Sequence, residues 1–348
     1  MKSKFLVHCG GSIQMFRKIT QTHEFIVAIA IAILSIVIGL INPAYFSVAN
    51  LFDTLRNATV SGVLGMGVLV VLISGGVDVS FPAIAAASSY ATMKILIAFG
   101  FQGPAWVAFL VALPFGLLLG MFNATFIHWF RLPALIVTLG TASMIYGFVL
   151  FFVGNLTLYN LPPGMVSYRM MSLMTVNDPL AGTSSLHPSV LVLAAVAVGI
   201  WILLKYTLIG RGIYALGGKR EAAERSGSNI RLIEYVIYSL AGILASIAGV
   251  IQVALYRNAN PAALMGMELE VIAAVVLGGA SITGGRGTVI GTGLGLFLIT
   301  IIKSGLVLVG ISSEWQKTAI GIALILGASV PAIRTTRRKR PIATTQFE

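Results

Sequence analysis

The chain has 348 residues, 57% of them hydrophobic and only 10% charged, with a formal net charge of +12 at pH 7. A water-soluble domain carries about a quarter charged residues, so a mean hydropathy of +0.95 excludes a soluble globular chain. The apolar runs are long and continuous, unlike the alternating strands of about ten residues in a membrane β-barrel, and the basic excess marks loops on one side of a membrane rather than a nucleic-acid surface.

Residues 1–24 carry Lys2, Lys4, Arg17 and Lys18 with the single cysteine, Cys9, and read as a cytoplasmic N-terminal segment. The apolar run at 25–41 exceeds the roughly 7–15 residues of a signal-peptide core and reads as an uncleaved first span. Further spans are predicted at 58–74, 80–99, 105–127, 133–153, 189–206, 233–255, 268–284, 288–309 and 315–333. The expected fold is all-α and polytopic, about ten transmembrane helices in a single domain over 25–333. With the N-terminus inside, 17 of 23 Lys and Arg residues fall on the inner side, as positive residues resist translocation. That orientation puts the segment 154–188 outside. It puts 207–232 and the basic tail 334–348 inside.

Two spans end in glycine-rich steps, 74-SGGVDVSFP-82 and 277-LGGASITGGRG-287. Such breaks free backbone groups that must find partners or line a wet path. As a plain turn, the first would have Ser80 capping the next helix and Pro82 in its first turn.

The sequence has no H-E-x-x-H pair, no G-x-S-x-G elbow and no G-x-x-x-x-G-K-[ST] loop, and its four histidines lack metal-ligand spacing. No catalytic residue, metal or other cofactor is expected in this chain. Asp78, Asn123, Thr138 and Glu270 are the candidate translocation-path residues, because amides, hydroxyls and a few carboxylates suit a neutral sugar or polyol. The competing reading of Asn123, Thr138, Thr141 and Ser143 is helix-to-helix hydrogen bonding, worth about 0.6 kcal/mol each. Lys303, deep in an apolar run, is expected to snorkel outward rather than pair with an acid. Acids are scarce within the spans, which argues against an ion-coupled secondary carrier for a small polar solute, the alternative function.

The inner segment 210-GRGIYALGGKREAAERSGSNIRLIE-234 holds eight charged residues in 25. Within it, 220-REAAERSG-227 reads as a short helix stopped by Gly227, with acids in its first turn and a Glu221–Arg225 pair four residues apart. It is either a solvated connector or a peg whose small face, Ala222, Ala223 and Gly227, inserts into a partner.

The segment 208-LIGRGIYALGGKREAAERSGSNIRLIEYVIYSLAGILASIAGV-250 closely resembles the monosaccharide (ribose-type) ABC-importer permeases. Three more blocks are similar to that family: 123-NATFIHWFRLPALIVTLGTASMIYG-147, 268-ELEVIAAVVLGGASITGGRGTVIGTGLG-295 and 75-GGVDVS-80. The resemblance spans roughly 45–330. It implies a fold similar to the vitamin-B12-type permeases, in a bacterial cytoplasmic (inner) membrane. It also implies a homo- or heterodimer of permeases, separate cytoplasmic ABC ATPase subunits that bind ATP and magnesium, and a periplasmic or lipoprotein sugar-binding protein. By position, Arg220, Glu221, Ala222, Ala223, Ser226 and Gly227 would be the ATPase-coupling residues. The chain departs from the family at Phe81-Pro82 and at Lys219.

Overall fold

The computed structural model describes residues 23–178 and 182–325. Most of the N-terminal segment, Cys9, the basic tail and the second half of the tenth expected span lie outside the described residues.

Five helices come first: α1 (His23–Ile41), α2 (Val48–Ile73), α3 (Phe81–Ala98), α4 (Trp106–Phe130) and α5 (Ala134–Phe148), the last prolonged by a π-turn over Val149–Val153. A short helix α6 (Pro163–Met170) and an antiparallel hairpin of β1 (Met174–Asp178) and β2 (Gly182–Leu186) follow, with Met174 opposite Leu186. Then come α7 (Ser189–Tyr206), α8 (Leu208–Gly218), α9 (Arg220–Arg225), α10 (Ile230–Tyr256), α11 (Met267–Leu277) and α12 (Val289–Leu308). Residues 315–325 form a last described helix, α13. Eight of these, α1 to α5, α7, α10 and α12, are long and apolar enough to cross a membrane. The protein is an all-α multi-pass membrane protein.

The expected span 268–284 is the main departure. α11 has only 11 residues, about 16 Å of helix against a hydrocarbon core of about 30 Å. Gly279, Gly284 and Gly285 sit at φ of 99°, 86° and 74°, a region closed to most side chains, so the chain continues as a loop to Thr288. α2 departs in the other direction. Its helix starts ten residues before the apolar run, where the Ser47 hydroxyl accepts a hydrogen bond from the Asn50 amide.

Burial ranks the spans. In their most apolar windows α2 is 83% buried and α10 67%, while α1 and α7 are 17% buried. Over residues 62–73 α2 is apolar on every side and wholly buried, the pattern of a helix at the centre of a bundle. Around it, α4 and α10 touch through glycines. A Cβ on Gly116 would sit 2.3 Å from the Gly242 carbonyl oxygen, and one on Gly120 would sit 2.2 Å from that of Tyr238. Small residues give membrane helices such close approach.

α7 separates two ends of the bundle by 18 residues, about 27 Å. One end carries the hairpin and the other carries α8 and α9.

Candidate functional site

At the hairpin end a cavity of about 820 Å3 opens between α2, α10, α11 and α12. Its polar walls come from Asn50, Asp53, Arg56, Asn57 and Ser61 of α2, Gln252 of α10, Glu270 of α11, and Thr300, Lys303 and Ser304 of α12. The early start of α2 is what delivers the first four. Lys303 Nζ lies 2.9 Å from Glu270 Oε1. The expectation that Lys303 snorkels away is therefore wrong: α11 crosses α12 closely, with a Cβ on Gly295 falling 2.0 Å from the Ala274 carbonyl oxygen, and this brings a carboxylate within reach. Arg56 pairs with Asp53 at 2.9 Å, and Asp53 also accepts from Ser184 of β2, which fastens the hairpin over α2. His187 closes the same loop. Its Nδ1 accepts from the Ser189 amide while Nε2 donates to the Tyr168 carbonyl. Burial, with a further push from Arg56 and Arg169, lowers its pKa below the ordinary value and keeps it neutral.

Beyond Ser61 the next 12 residues of α2 are all buried, so the cavity is sealed for about 18 Å toward the α9 end. The seal ends in backbone. The Gly285 amide donates to the Ile73 carbonyl at 2.8 Å. A Cβ on Gly217, near the end of α8, would lie 1.8 Å from that same oxygen and 2.5 Å from Gly285 N. A Cβ on Gly284 would lie 2.8 Å from the Cα of Gly75. Both glycine-rich breaks and the segment leading into α9 thus meet without side chains between them.

Three of the four candidate path residues come together just inside this junction. Asp78 is 3% exposed and accepts from both the amide and the hydroxyl of Ser80 at 2.7 Å. Asn123 Nδ2 donates to the Ser80 hydroxyl at 2.7 Å. Thr138 Oγ1 accepts from the Val79 amide and donates to the Val77 carbonyl. Ser80 stands at the N-cap position of α3 but makes no capping bond, since its hydroxyl is directed at Asp78; Pro82 does occupy the first turn, and it is buried there together with Phe81. The fourth residue, Glu270, is in the cavity. Thr141 and Ser143 bond their own helix, to the carbonyls of Thr138 and Leu139.

Asn123 Oδ1 is buried with no hydrogen-bond partner among the described residues. An orphaned buried acceptor costs about 1–3 kcal/mol. Asn123→Leu removes one good bond and one orphan together, so the melting temperature of the purified protein is expected to stay the same or rise, while uptake falls. A lowered melting temperature with normal uptake would assign Asn123 to packing alone.

At the α9 end, α9 is one and a half turns long, stopped by Gly227 at φ 81°. The expected Glu221–Arg225 pair is absent among the described residues. Arg220 takes the pairing role instead, reaching Glu224 at 3.3 Å and Glu234 at 2.5 Å. Of the expected small face, Ala223 is turned inward and buried, while Ala222 and Gly227 are exposed beside Glu221, Arg225 and Ser226. No group of three or more His, Cys, Asp or Glu capable of holding a metal occurs among the described residues.

Residues 50–328 match the family described as branched-chain amino acid transport system / permease component. The chain belongs to that family. It is therefore a permease, a transport subunit rather than a catalyst. The ribose import permease protein of Escherichia coli strain K12 is 31% identical over 303 residues, 87% of this chain and 91% of that one. The ribose import permease protein of Bacillus subtilis strain 168 is 32% identical over 294 residues, 84% and 88% of the two chains. The autoinducer 2 import system permease protein of Escherichia coli O9:H4 is 31% identical over 315 residues, 89% and 87%.

Several residues of the candidate site in this permease are invisible to hydropathy. Asp53, Arg56 and Asn57 read as loop because they precede the apolar run. His128 and Glu234 are 106 positions apart in sequence yet meet at 2.6 Å, which nothing in their spacing signals.

Proposed function

We propose that this permease is the membrane subunit of an ATP-driven importer for a monosaccharide or related polyol, set in a bacterial cytoplasmic membrane with α9 on the inside. The relatives named for ribose support the substrate class. The cavity supports it too, with amide and hydroxyl groups set between two neutralised ion pairs, the arrangement that recognises hydroxyls without demanding a charge. The observation that carries the coupling is the pairing of a sealed inner end with an exposed α9 beside it. A separate ATPase, holding ATP and magnesium, would grip α9, and an external sugar-binding protein would dock over the cavity mouth. Two permeases would stand side by side, as a homo- or heterodimer, with both chain ends inside.

The mechanism is alternating access. In this reading the cavity at the hairpin end is the open end of the path and the Gly75–Gly217–Gly284 junction its shut end. Closure of the ATPase pair would shift α9 and α8, and the junction would part as the outer cavity narrows. Delivery from outside must in turn change ATP turnover, since coupling is reciprocal.

The test is co-purification of an ABC ATPase subunit from the native membrane with the tagged permease, with a Glu221→Lys variant as probe. Glu221→Lys is expected to insert normally and to lose most of the bound ATPase and of the uptake. Undiminished ATPase recovery would remove α9 from the contact. The second reading, an ion-coupled carrier, would rest on the Glu270 carboxylate beside Lys303 in the cavity. Uptake that persists in vesicles without ATP and collapses with an ionophore would establish that reading.

A further inference from the structure

We propose that Glu234 is a positioning residue, the strut that carries movement of α9 into the paired helices α4 and α10. The inference rests on the ATPase-coupled reading above. Glu234 lies in the first turns of α10, and its side chain is only 5% exposed, so it is out of reach of any cytoplasmic partner. Its carboxylate bridges two elements. Oε1 accepts from Arg220 Nη1 of α9 at 2.5 Å, and Oε2 meets His128 Nδ1, in the last turn of α4, at 2.6 Å while also accepting from Arg220 Nη2 at 3.4 Å. A carboxylate is the group that can accept strong bonds from two directions at once. Arg220 is the only charged residue of α9 tied to the membrane helices among the described residues, because Glu221 and Arg225 face outward without ion pairs.

Both ends of the strut lead to the break between α2 and α3. Asn123 is five residues before His128, about 7.5 Å along α4, and its amide holds Ser80 against Asp78. Tyr238 is four residues after Glu234, about 6 Å along α10, and its hydroxyl stands 2.6 Å from where a Cβ on Gly76 would be. The glycine contacts between α4 and α10 make the two helices one body. A displacement of α9 taken up by Glu234 therefore arrives at the buried Asp78–Ser80–Asn123 cluster from two sides. With the carboxylate neutralised, α9 can rock on Ala223 and leave α4 behind.

The experiment is a distance measurement by electron spin resonance on the assembled transporter. Spin labels are placed at Lys219→Cys, before α9, and at Leu132→Cys, just beyond α4, in a Cys9→Ser background. Both positions are exposed. With Glu234 intact the distance is expected to be the same without nucleotide and with a non-hydrolysable ATP analogue, since the two sites move together. In Glu234→Gln, and separately in His128→Gln, the distance is expected to shift on adding the analogue, with ATPase recovery unchanged. The His128 variant decides the matter if Glu234→Gln fails to assemble. A distance that shifts equally in the parent protein, or stays fixed in both variants, overturns the strut. If the parent protein recruits no ATPase at all, it is the coupling reading that falls, and the strut with it.

Discussion

Gly217→Ala is expected to lower uptake by about tenfold or more, whereas Gly218→Ala, one residue along, stays within about twofold of the parent protein. The added methyl at 217 would lie 1.8 Å from the Ile73 carbonyl oxygen and 2.5 Å from the Gly285 amide nitrogen. Both obstacles are backbone, so no side chain can swing aside. Overpacking of this kind costs about 1–3 kcal/mol, and each 1.4 kcal/mol is a factor of ten in an equilibrium. That energy falls on the contact between α8 and the two glycine-rich breaks, the seal at the α9 end. The variant should therefore leave the seal ajar, and ATP hydrolysis by the partner should persist without productive import. At Gly218 a Cβ meets nothing within 4 Å among the described residues. The backbone there is ordinary helix, so alanine fits and strengthens it slightly. Uptake normalised to the amount of permease in the membrane compares the two. Equal uptake from both variants would mean that the junction is not a gate.

The same junction shows what was legible in sequence and what was not. The glycine pairs at 75–76, 217–218 and 284–285 are visible in the sequence as punctuation, and two of the three are recognisable as breaks in spans. That they converge on one another is a fact of tertiary packing with no local signature. The short helix at Arg220 and its glycine stop were legible, because propensity and charge placement act within a few residues. Its ion pairing was not. Glu221 and Arg225 have the right spacing but do not pair, while Arg220 joins Glu224 within α9 and also Glu234, a residue 14 positions away that becomes its neighbour only when α10 folds back beside α9. The ends of α2 and α11 escape hydropathy for opposite reasons. Hydropathy ends α2 where polar residues begin, though Asn50, Asp53 and Asn57 remain helical because they face a wet cavity instead of lipid. It carries α11 through Gly278, though glycines with positive φ end the helix halfway across.

The Glu270–Lys303 pair is expected to separate stability from transport. Lys303→Met leaves Glu270, whose side chain is only 20% exposed, without its cation. Breaking a fully buried pair costs about 3–5 kcal/mol, and an exposed pair contributes about 0–1 kcal/mol. Lys303 is 37% exposed to the cavity, so solvent screening places the expected loss between these limits, at about 1–3 kcal/mol. A drop of several degrees in melting temperature should report it. Glu270→Gln alone is expected to do less harm, since a lysine can reach water along its flexible stem. In the double variant Glu270→Gln/Lys303→Met neither charge is stranded, so the melting temperature should return close to that of the parent protein. Uptake should not return with it, because the carboxylate and ammonium that project into the cavity beside Thr300 and Ser304 are gone, and with them the groups placed to meet a substrate's hydroxyls. Thermal unfolding of the purified variants and uptake in vesicles give the two numbers independently. Recovery of both in the double variant would make the pair a structural tie between α11 and α12 and would move the substrate contact elsewhere in the cavity.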